Sequence, residues 1–152
     1  MDAASINPFL ESLVKVLEGF GIKNSKIGQL EKKERMQVTF DVTAVIGLVG
    51  DIKGNVAYSL SQATAMKIVS AMMPGFKVTE FDAMARSAVG ELANMITGMA
   101  SVSLSTTGVN IDISPPSIII GEDVYFIISP LQSLAVIMDT QAGRIEVNIE
   151  IT

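Results

Sequence analysis

Two polar residues near the middle of the chain, Glu91 and Asn94, carry side chains that could act together. They are three residues apart, so on a helix their side chains would emerge as neighbours one turn apart. A carboxamide both donates and accepts hydrogen bonds, so it can orient a water molecule without a tuned pKa. A carboxylate beside it can pair with a cation on another molecule. Most such residues on a helix are only solvated, so the spacing alone leaves a site and an ordinary surface both open.

The apolar residues around this pair recur with the period of a helix. At about 100° per residue they fall on one stripe that would face a core. The stripe consists of Phe81, Ala85, Ala88, Leu92, Ile96 and Met99. Glu91 and Asn94 lie off the stripe, on an outward flank beside the small residues Ser87, Gly90 and Gly98. Each glycine costs the helix about 1 kcal/mol relative to alanine, and close approach of another backbone is the usual reason for accepting that cost.

Capping residues predict three helices in the first two thirds of the chain. The first begins at Asn7-Pro8, with asparagine as N-cap and proline at the first helical position. The second follows Ser61 as its N-cap. The third begins at Thr79, with Asp82 three residues later as in a capping box, and runs to about Ser103.

Alternating and β-branched residues predict the strands. Residues 42–50 and 55–60 form a hairpin around a turn at 51–54, a strand starts within residues 37–41, and residues 22–30 alternate weakly. The last third reads as β throughout, in segments 110–114, 117–120, 124–128, 134–139 and 144–151, with a turn at 121–123.

The final segment has the cleanest alternation of apolar and polar residues. It predicts that Arg144, Glu146, Asn148 and Glu150 face outward from a half-exposed antiparallel strand. Together the elements predict a single α+β domain over residues 1–152, in which an antiparallel sheet carries its helices on one face.

The composition excludes several classes of function. The chain lacks cysteine, so it has no disulfide and no thiol nucleophile, and it lacks histidine, the commonest general base. Its net charge is −5 without a basic cluster, which argues against nucleic-acid binding. Neither an apolar run long enough for a membrane span nor a signal peptide is evident, so we expect no membrane partner and a cytoplasmic location.

The sequence predicts no metal site and no cofactor of the chain's own. Its acids near turns, Asp51, Asp112, Glu122 and Asp123, lack the spacing of a calcium loop. The nine methionines mostly fall at helical core spacing, which predicts core filling rather than a binding surface. No serine lies in a nucleophile elbow.

The best match to Glu91 and Asn94 is therefore a reaction that needs few catalytic groups from this chain. Hydrolysis of an acyl phosphate depends mostly on positioning and charge stabilisation. The pair would suffice if another protein supplied both the metal and the reactive bond.

The residues around the pair resemble the CheC/CheX/FliY phosphatases of bacterial chemotaxis, whose mark is a helix carrying Glu-x-x-Asn, here Glu91-Leu92-Ala93-Asn94. Residues 45–54, 69–73 and 111–116 also resemble segments of the CheX members, and the resemblance covers about residues 5–151. Family members of the CheC and FliY type carry two copies of the motif. This chain has one, because Val14 stands where a second asparagine would follow Glu11.

The resemblance implies a phosphatase that acts on a phosphorylated CheY-like response regulator. Asn94 would enter the regulator's active site and orient the attacking water, and Glu91 would pair with the regulator's active-site lysine. The Mg²⁺ and the phosphoaspartate would belong to the regulator. Beyond the resemblance, we infer that the small flank at Ser87, Gly90 and Gly98 would let the helix lie close over the regulator.

The resemblance also implies a homodimer formed through sheet strands. Two other hypotheses stay open: a non-catalytic adaptor that docks a receiver domain through the same helix, and a plain dimerisation domain. The presence of both Glu91 and Asn94 favours catalysis, since a docking surface alone would tolerate other polar residues.

Overall fold

The computed structural model describes residues 3–38, 40–121 and 126–152. These residues form three helices, α1 (Ala3–Gly19), α2 (Gln62–Met72) and α3 (Ala83–Ser105). They also form nine strands: β1 (Lys26–Lys33), β2 (Met36–Val38), β3 (Val42–Gly50), β4 (Gly54–Leu60), β5 (Ile111–Ile113), β6 (Ser117–Ile120), β7 (Phe126–Ser129), β8 (Ser133–Thr140) and β9 (Gly143–Ile151).

Seven of these strands form one antiparallel sheet in the order β1-β8-β9-β4-β3, with β5 and β6 one after the other along the far side of β3. Strand β3 is long enough to pair with both: its end at Leu48–Gly50 meets β5, and its start at Val42–Val45 meets β6. The predicted hairpin of β3 and β4 is confirmed, in register from Val42 opposite Leu60 to Leu48 opposite Gly54.

The three helices pack on one face of this sheet, which confirms the predicted α+β architecture. Alternate residues of the strands, such as Ile46 and Val147, are fully buried against them. Helix α1 contributes Phe9, Leu13 and Leu17, which are also fully buried, and it lies beside α3. The apolar stripe of each helix therefore forms the second wall of the core.

The opposite face of the sheet is covered as well, so the prediction that the polar residues of β9 face outward is wrong for two of them. Asn148 is 0% exposed and Glu150 is 3% exposed, because the small β2–β7 sheet packs over them. The Glu150 carboxylate accepts hydrogen bonds from Ser129 Oγ at 2.6 Å and Asn55 Nδ2 at 3.3 Å, so these partners compensate its burial. Arg144 is exposed, as predicted.

Helix α1 extends one turn further than its proline indicates. It begins at Ala3, so Pro8 lies inside the helix, and Ile6 is buried in the core. The packing of that turn stabilises the helix by more than is lost with the backbone N–H donor that proline lacks.

Two local β predictions need adjustment. The weak strand signal at residues 22–30 corresponds to β1, which continues to Lys33 as an edge strand. The predicted strand over 124–128 is confirmed where it overlaps β7, whereas residues 122–125, including most of the predicted turn at 121–123, lie outside the described residues.

Candidate functional site

Helix α3 positions the Glu91–Asn94 pair, and its start differs from the prediction. Asp82 is itself the N-cap, since its carboxylate accepts a hydrogen bond from the Ala85 amide at 2.9 Å. The helix therefore begins at Ala83 rather than at Thr79, and Phe81 packs on the core from outside it.

The buried side of α3 is broader than the predicted stripe. It includes Val89, Ala93 and Ala100, whereas Met99, which the stripe placed in the core, is 41% exposed. Glu91 is exposed and Asn94 is half-buried, so both lie off the buried side of the helix, as the periodicity predicted.

A groove runs along α3 past both residues. It has a volume of about 710 Å³ and lies between the helix and the chain from Pro116 through β6. The helix side carries Glu91, Asn94, Ser87, Gly90 and Arg86, and the opposite wall is Pro116, Ile118 and Ile120. No described residue hydrogen-bonds the side chain of Glu91 or Asn94, so both functional groups are available to a partner molecule.

The small residues of the predicted flank have different surroundings. Ser87 is exposed, and a β carbon at Gly98 would have nothing within 4 Å. Gly90 is buried, and a β carbon there would lie 3.5 Å from Pro116 Cγ and 3.7 Å from Ile118 Cδ1. The element that approaches Gly90 most closely thus belongs to the chain itself, and Gly90 forms part of the groove floor.

Exposed apolar side chains surround the pair on α3. Met84, Met95, Met99 and Val102 all project into solvent. Large apolar side chains grouped on one exposed face are typical of protein-binding surfaces, and methionine adapts readily to a partner. This surface was not predicted from the sequence, because the helical spacing of the methionines assigned them to the core. The spacing of Met84, Met95 and Val102 could have revealed part of it, because at about 100° per residue these three fall within roughly 40° of Glu91, whereas Met99 falls on the stripe of Leu92.

A buried polar contact beneath the site was also missed. The hydroxyl of Tyr58 on β4 lies 2.9 Å from Thr97 Oγ1 on α3. Thr97 in turn donates to the carbonyl oxygen of Ala93 at 2.7 Å. Burial raises the pKa of Tyr58 well above its usual range.

The chemistry available to the site is limited to hydrogen bonding, the carboxylate charge of Glu91 and the guanidinium charge of Arg86. Over the described ranges, no group of three or more Asp or Glu residues could hold a metal ion. Within the same ranges, no helix is long and apolar enough to cross a membrane. The site can orient a water molecule, pair with a cation and bury apolar surface against a partner.

The fold is that of the CheC-like proteins. A CheC-like superfamily protein from Shewanella sp. PV-4 superimposes with a TM-score of 0.88 at 29% identity, over 100% of this chain and 99% of that one. The family model described as chemotaxis phosphatase CheX matches residues 42–139, and the chain belongs to that family.

Two further relatives agree with this assignment. The chain is 35% identical over 124 residues to the CheY-P phosphatase CheX of Thermotoga maritima, covering 82% of this chain and 80% of that protein. It also resembles the CheX of a solved CheX–CheY–BeF3–Mg²⁺ complex from Borrelia burgdorferi, with a TM-score of 0.75, 26% identity and 96% coverage of each chain. The family expected from the Glu-x-x-Asn motif is thereby confirmed.

Proposed function

We propose that this protein hydrolyses the aspartyl phosphate of a CheY-like response regulator and so ends a chemotaxis or related two-component signal. The observation that carries the proposal is the pairing of Glu91 and Asn94 on the exposed side of α3, without partners among the described residues, in a chain of the CheX family. The curated name of the Thermotoga maritima relative states the same activity for that protein.

Asn94 is the residue we assign to the reacting water. Its carboxamide oxygen would accept a hydrogen bond from the water and its NH2 group would donate to the phosphoryl oxygens. Water then attacks phosphorus in line, the P–O bond to the aspartate breaks, and the aspartate leaves as a carboxylate. The side chain stays neutral throughout, so it positions the reactants without exchanging a proton.

Glu91 is assigned to partner recognition. It projects one turn before Asn94 on the same side of the helix, so both reach the same region of a docked protein. A carboxylate in that position can pair with a cation, and from the family resemblance we assign that cation to the regulator's active-site lysine. Such a pair would fix the distance between the helix and the phosphoryl group.

We assign the Mg²⁺ to the regulator. The complex from Borrelia burgdorferi contains CheY, BeF3 and Mg²⁺ together with CheX. The Glu91–Asn94 groove offers a single carboxylate, which does not match the several oxygen ligands that Mg²⁺ binds. A response regulator acts within the cytoplasm, so we place this reaction there.

The exposed methionines around the pair support docking of a whole receiver domain. Met84 lies two turns before Glu91 and Met95 one turn after it, and both are more than a third exposed. A receiver that inserts its active site over Glu91 and Asn94 must also cover these side chains, so burial of apolar area would add to the polar recognition.

We further propose a homodimer through β1. This edge strand pairs with β8 on one side, and no described strand pairs with its other side. A bulge at Gly28 brings Ile27 and Leu30 onto the face beside α1, where they are 54% and 58% exposed. They border an apolar cleft of about 320 Å³ between α1 and the sheet, and a second copy would cover both the cleft and the open edge.

The dimer is tested by sedimentation velocity of a variant with Ile27→Lys and Leu30→Lys. We expect it to sediment as a monomer at concentrations where the native protein is a dimer. Val49→Lys is the matched control, because Val49 is 56% exposed at the far end of β3. If the double variant stays dimeric, another surface holds the two copies together.

The phosphatase activity is tested with each CheY-like receiver encoded in the same genome, phosphorylated with a small-molecule donor in the presence of Mg²⁺. The native protein should accelerate phosphate release from at least one of them. Asn94→Ala should abolish the acceleration but retain binding, whereas Glu91→Ala should weaken binding. Asn110→Ala and Glu18→Ala, at exposed positions away from the groove, serve as controls. Binding of a receiver without faster hydrolysis would replace the phosphatase with the adaptor.

A further inference from the structure

A pair of buried hydroxyl groups connects the sheet to the site helix. Tyr58 on β4 and Thr97 on α3 are 4% and 0% exposed, and their oxygens are 2.9 Å apart. Each hydroxyl has one proton, and Thr97 donates its own to the carbonyl oxygen of Ala93 at 2.7 Å. Tyr58 is therefore the donor to Thr97.

This chain of hydrogen bonds ends at the backbone of Asn94. The carbonyl of Ala93 belongs to the peptide group whose nitrogen is that of Asn94. Thr97 thus holds the peptide plane from which the Asn94 side chain projects, and Tyr58 ties Thr97 to the sheet.

The Tyr58–Thr97 bond gives the helix–sheet contact a direction that its other contacts lack. Among the described residues, no other side chain of α3 hydrogen-bonds a strand, and the rest of the buried surface is largely apolar, as at Val89 and Ile96. Apolar packing is non-directional, so it tolerates small shifts along the helix axis and small rotations around it. A hydrogen bond weakens steeply with misalignment, so it fixes both the position of the helix along its axis and its rotation.

Stability alone does not account for the two hydroxyls. Replacing both members of a buried hydrogen bond by apolar groups of the same shape is often nearly neutral for the free energy of unfolding. Phenylalanine and valine would fill the same space. What they would not supply is a unique register between α3 and the sheet, which buried polar contacts can specify.

We propose that Tyr58 and Thr97 are positioning residues that aim the Asn94 carboxamide at the attacking water. The proposal rests on the phosphatase function assigned above. Displacing a catalytic group by about 1 Å can lower a rate by about a hundredfold, so a small shift of residues 93–97 is enough to be measured. Neither hydroxyl touches the regulator, because both are buried beneath the helix.

The test uses the double variant Tyr58→Phe with Thr97→Val, which removes both hydroxyls without leaving either unpaired. We expect kcat at saturating phosphorylated receiver to fall at least about tenfold, with KM changed less than about twofold. Thr97→Ser keeps the hydroxyl and should retain the native kcat. An unchanged kcat in the double variant would overturn the proposal.

The chain offers a matched control in a second buried hydroxyl pair. Thr43 and Ser59 are also 2.9 Å apart and buried, but they lie on the other face of the sheet, and Ser59 adjoins Tyr58 in β4. Thr43→Val with Ser59→Ala should leave kcat unchanged. If this control loses as much activity as the double variant, the effect is general loosening of the sheet and the positioning role is wrong.

A second measurement does not depend on activity. Amide hydrogen exchange of residues 93–98 should be faster in the double variant than in the native protein or the control. The three proteins are compared under conditions that give them equal free energies of unfolding. If the native protein accelerates dephosphorylation of no receiver, the phosphatase function fails. The exchange rates still decide whether Tyr58 and Thr97 fix the turn at residues 93–98. Native exchange rates in the double variant would overturn the proposal.

Discussion

Pro116 faces Gly90 closely: a β carbon on the glycine would stand at ordinary van der Waals distance, 3.5 Å from Pro116 Cγ. Pro116 belongs to the extended corner between β5 and β6, and both of these strands contact α3. The groove beside Glu91 and Asn94 therefore has a wall fixed to the helix, and its width is set within the chain.

The contact at Gly90 leads to a prediction about stability. A β carbon in ordinary van der Waals contact does not clash, and alanine is favoured over glycine in a helix by about 1 kcal/mol. Gly90→Ala should therefore raise the free energy of unfolding by about 0.5–1 kcal/mol, measured by urea denaturation. A lower free energy of unfolding would mean that the Pro116 corner cannot accommodate even one methyl group.

Gly98 should behave differently, because its surroundings are open. We predict that Gly98→Leu leaves the protein folded but weakens binding of a beryllofluoride-activated receiver by about tenfold or more, since a side chain there would hold the regulator away from α3. Binding is measured by titration calorimetry. The control is Gly19→Leu at the end of α1, where a β carbon also has nothing within 4 Å. Native affinity in Gly98→Leu would place the docking surface nearer the groove.

Elements that depend on adjacent residues could be predicted from the sequence. The hairpin of β3 and β4 follows from alternation and a turn, and the cap at Ser61 from its hydroxyl, which accepts from the Thr64 amide. The outward position of Glu91 and Asn94 follows from helix periodicity alone. All of these depend on spacings of a few residues.

Features that depend on distant residues could not be predicted in this way. The burial of Glu150 requires Ser129, on a strand of another sheet, and the groove wall at Pro116 lies more than twenty residues beyond Asn94. Tyr58 and Thr97 are 39 residues apart, and neither a tyrosine in a strand nor a threonine in a helix predicts a contact between them. Long-range pairing of this kind is set by packing, and periodicity does not encode it.

Tyr58 gives a prediction about pH. Burial raises its pKa in the folded protein above the ordinary value of 10.0, so as the pH rises through 10 the unfolded chain loses this proton first. The unfolded state then binds fewer protons than the folded state, and the free energy of unfolding falls by up to about 1.4 kcal/mol per pH unit.

The measurement compares the native protein with Tyr58→Phe between pH 9 and pH 11. Other titrating groups contribute to both, so the difference isolates Tyr58. We expect the native protein to lose roughly 1 kcal/mol more than the variant over this range. Parallel curves would indicate that the hydroxyl ionises as freely in the folded protein as in the unfolded chain.

Replacing Asn94 by aspartate separates two possible roles of the carboxamide. The two side chains have nearly the same shape, but aspartate at neutral pH lacks the NH2 donor and adds a negative charge beside Glu91 and the phosphoryl group. If the amide oxygen alone orients the water, Asn94→Asp keeps most of the activity. If the NH2 group also contacts the phosphoryl oxygens, the charge repels them, and single-turnover phosphate release should fall to the level of Asn94→Ala. We predict the second result, with a loss of at least about a hundredfold relative to the native protein, because the terminal oxygens of the phosphoryl group are anionic and would repel a second carboxylate beside them.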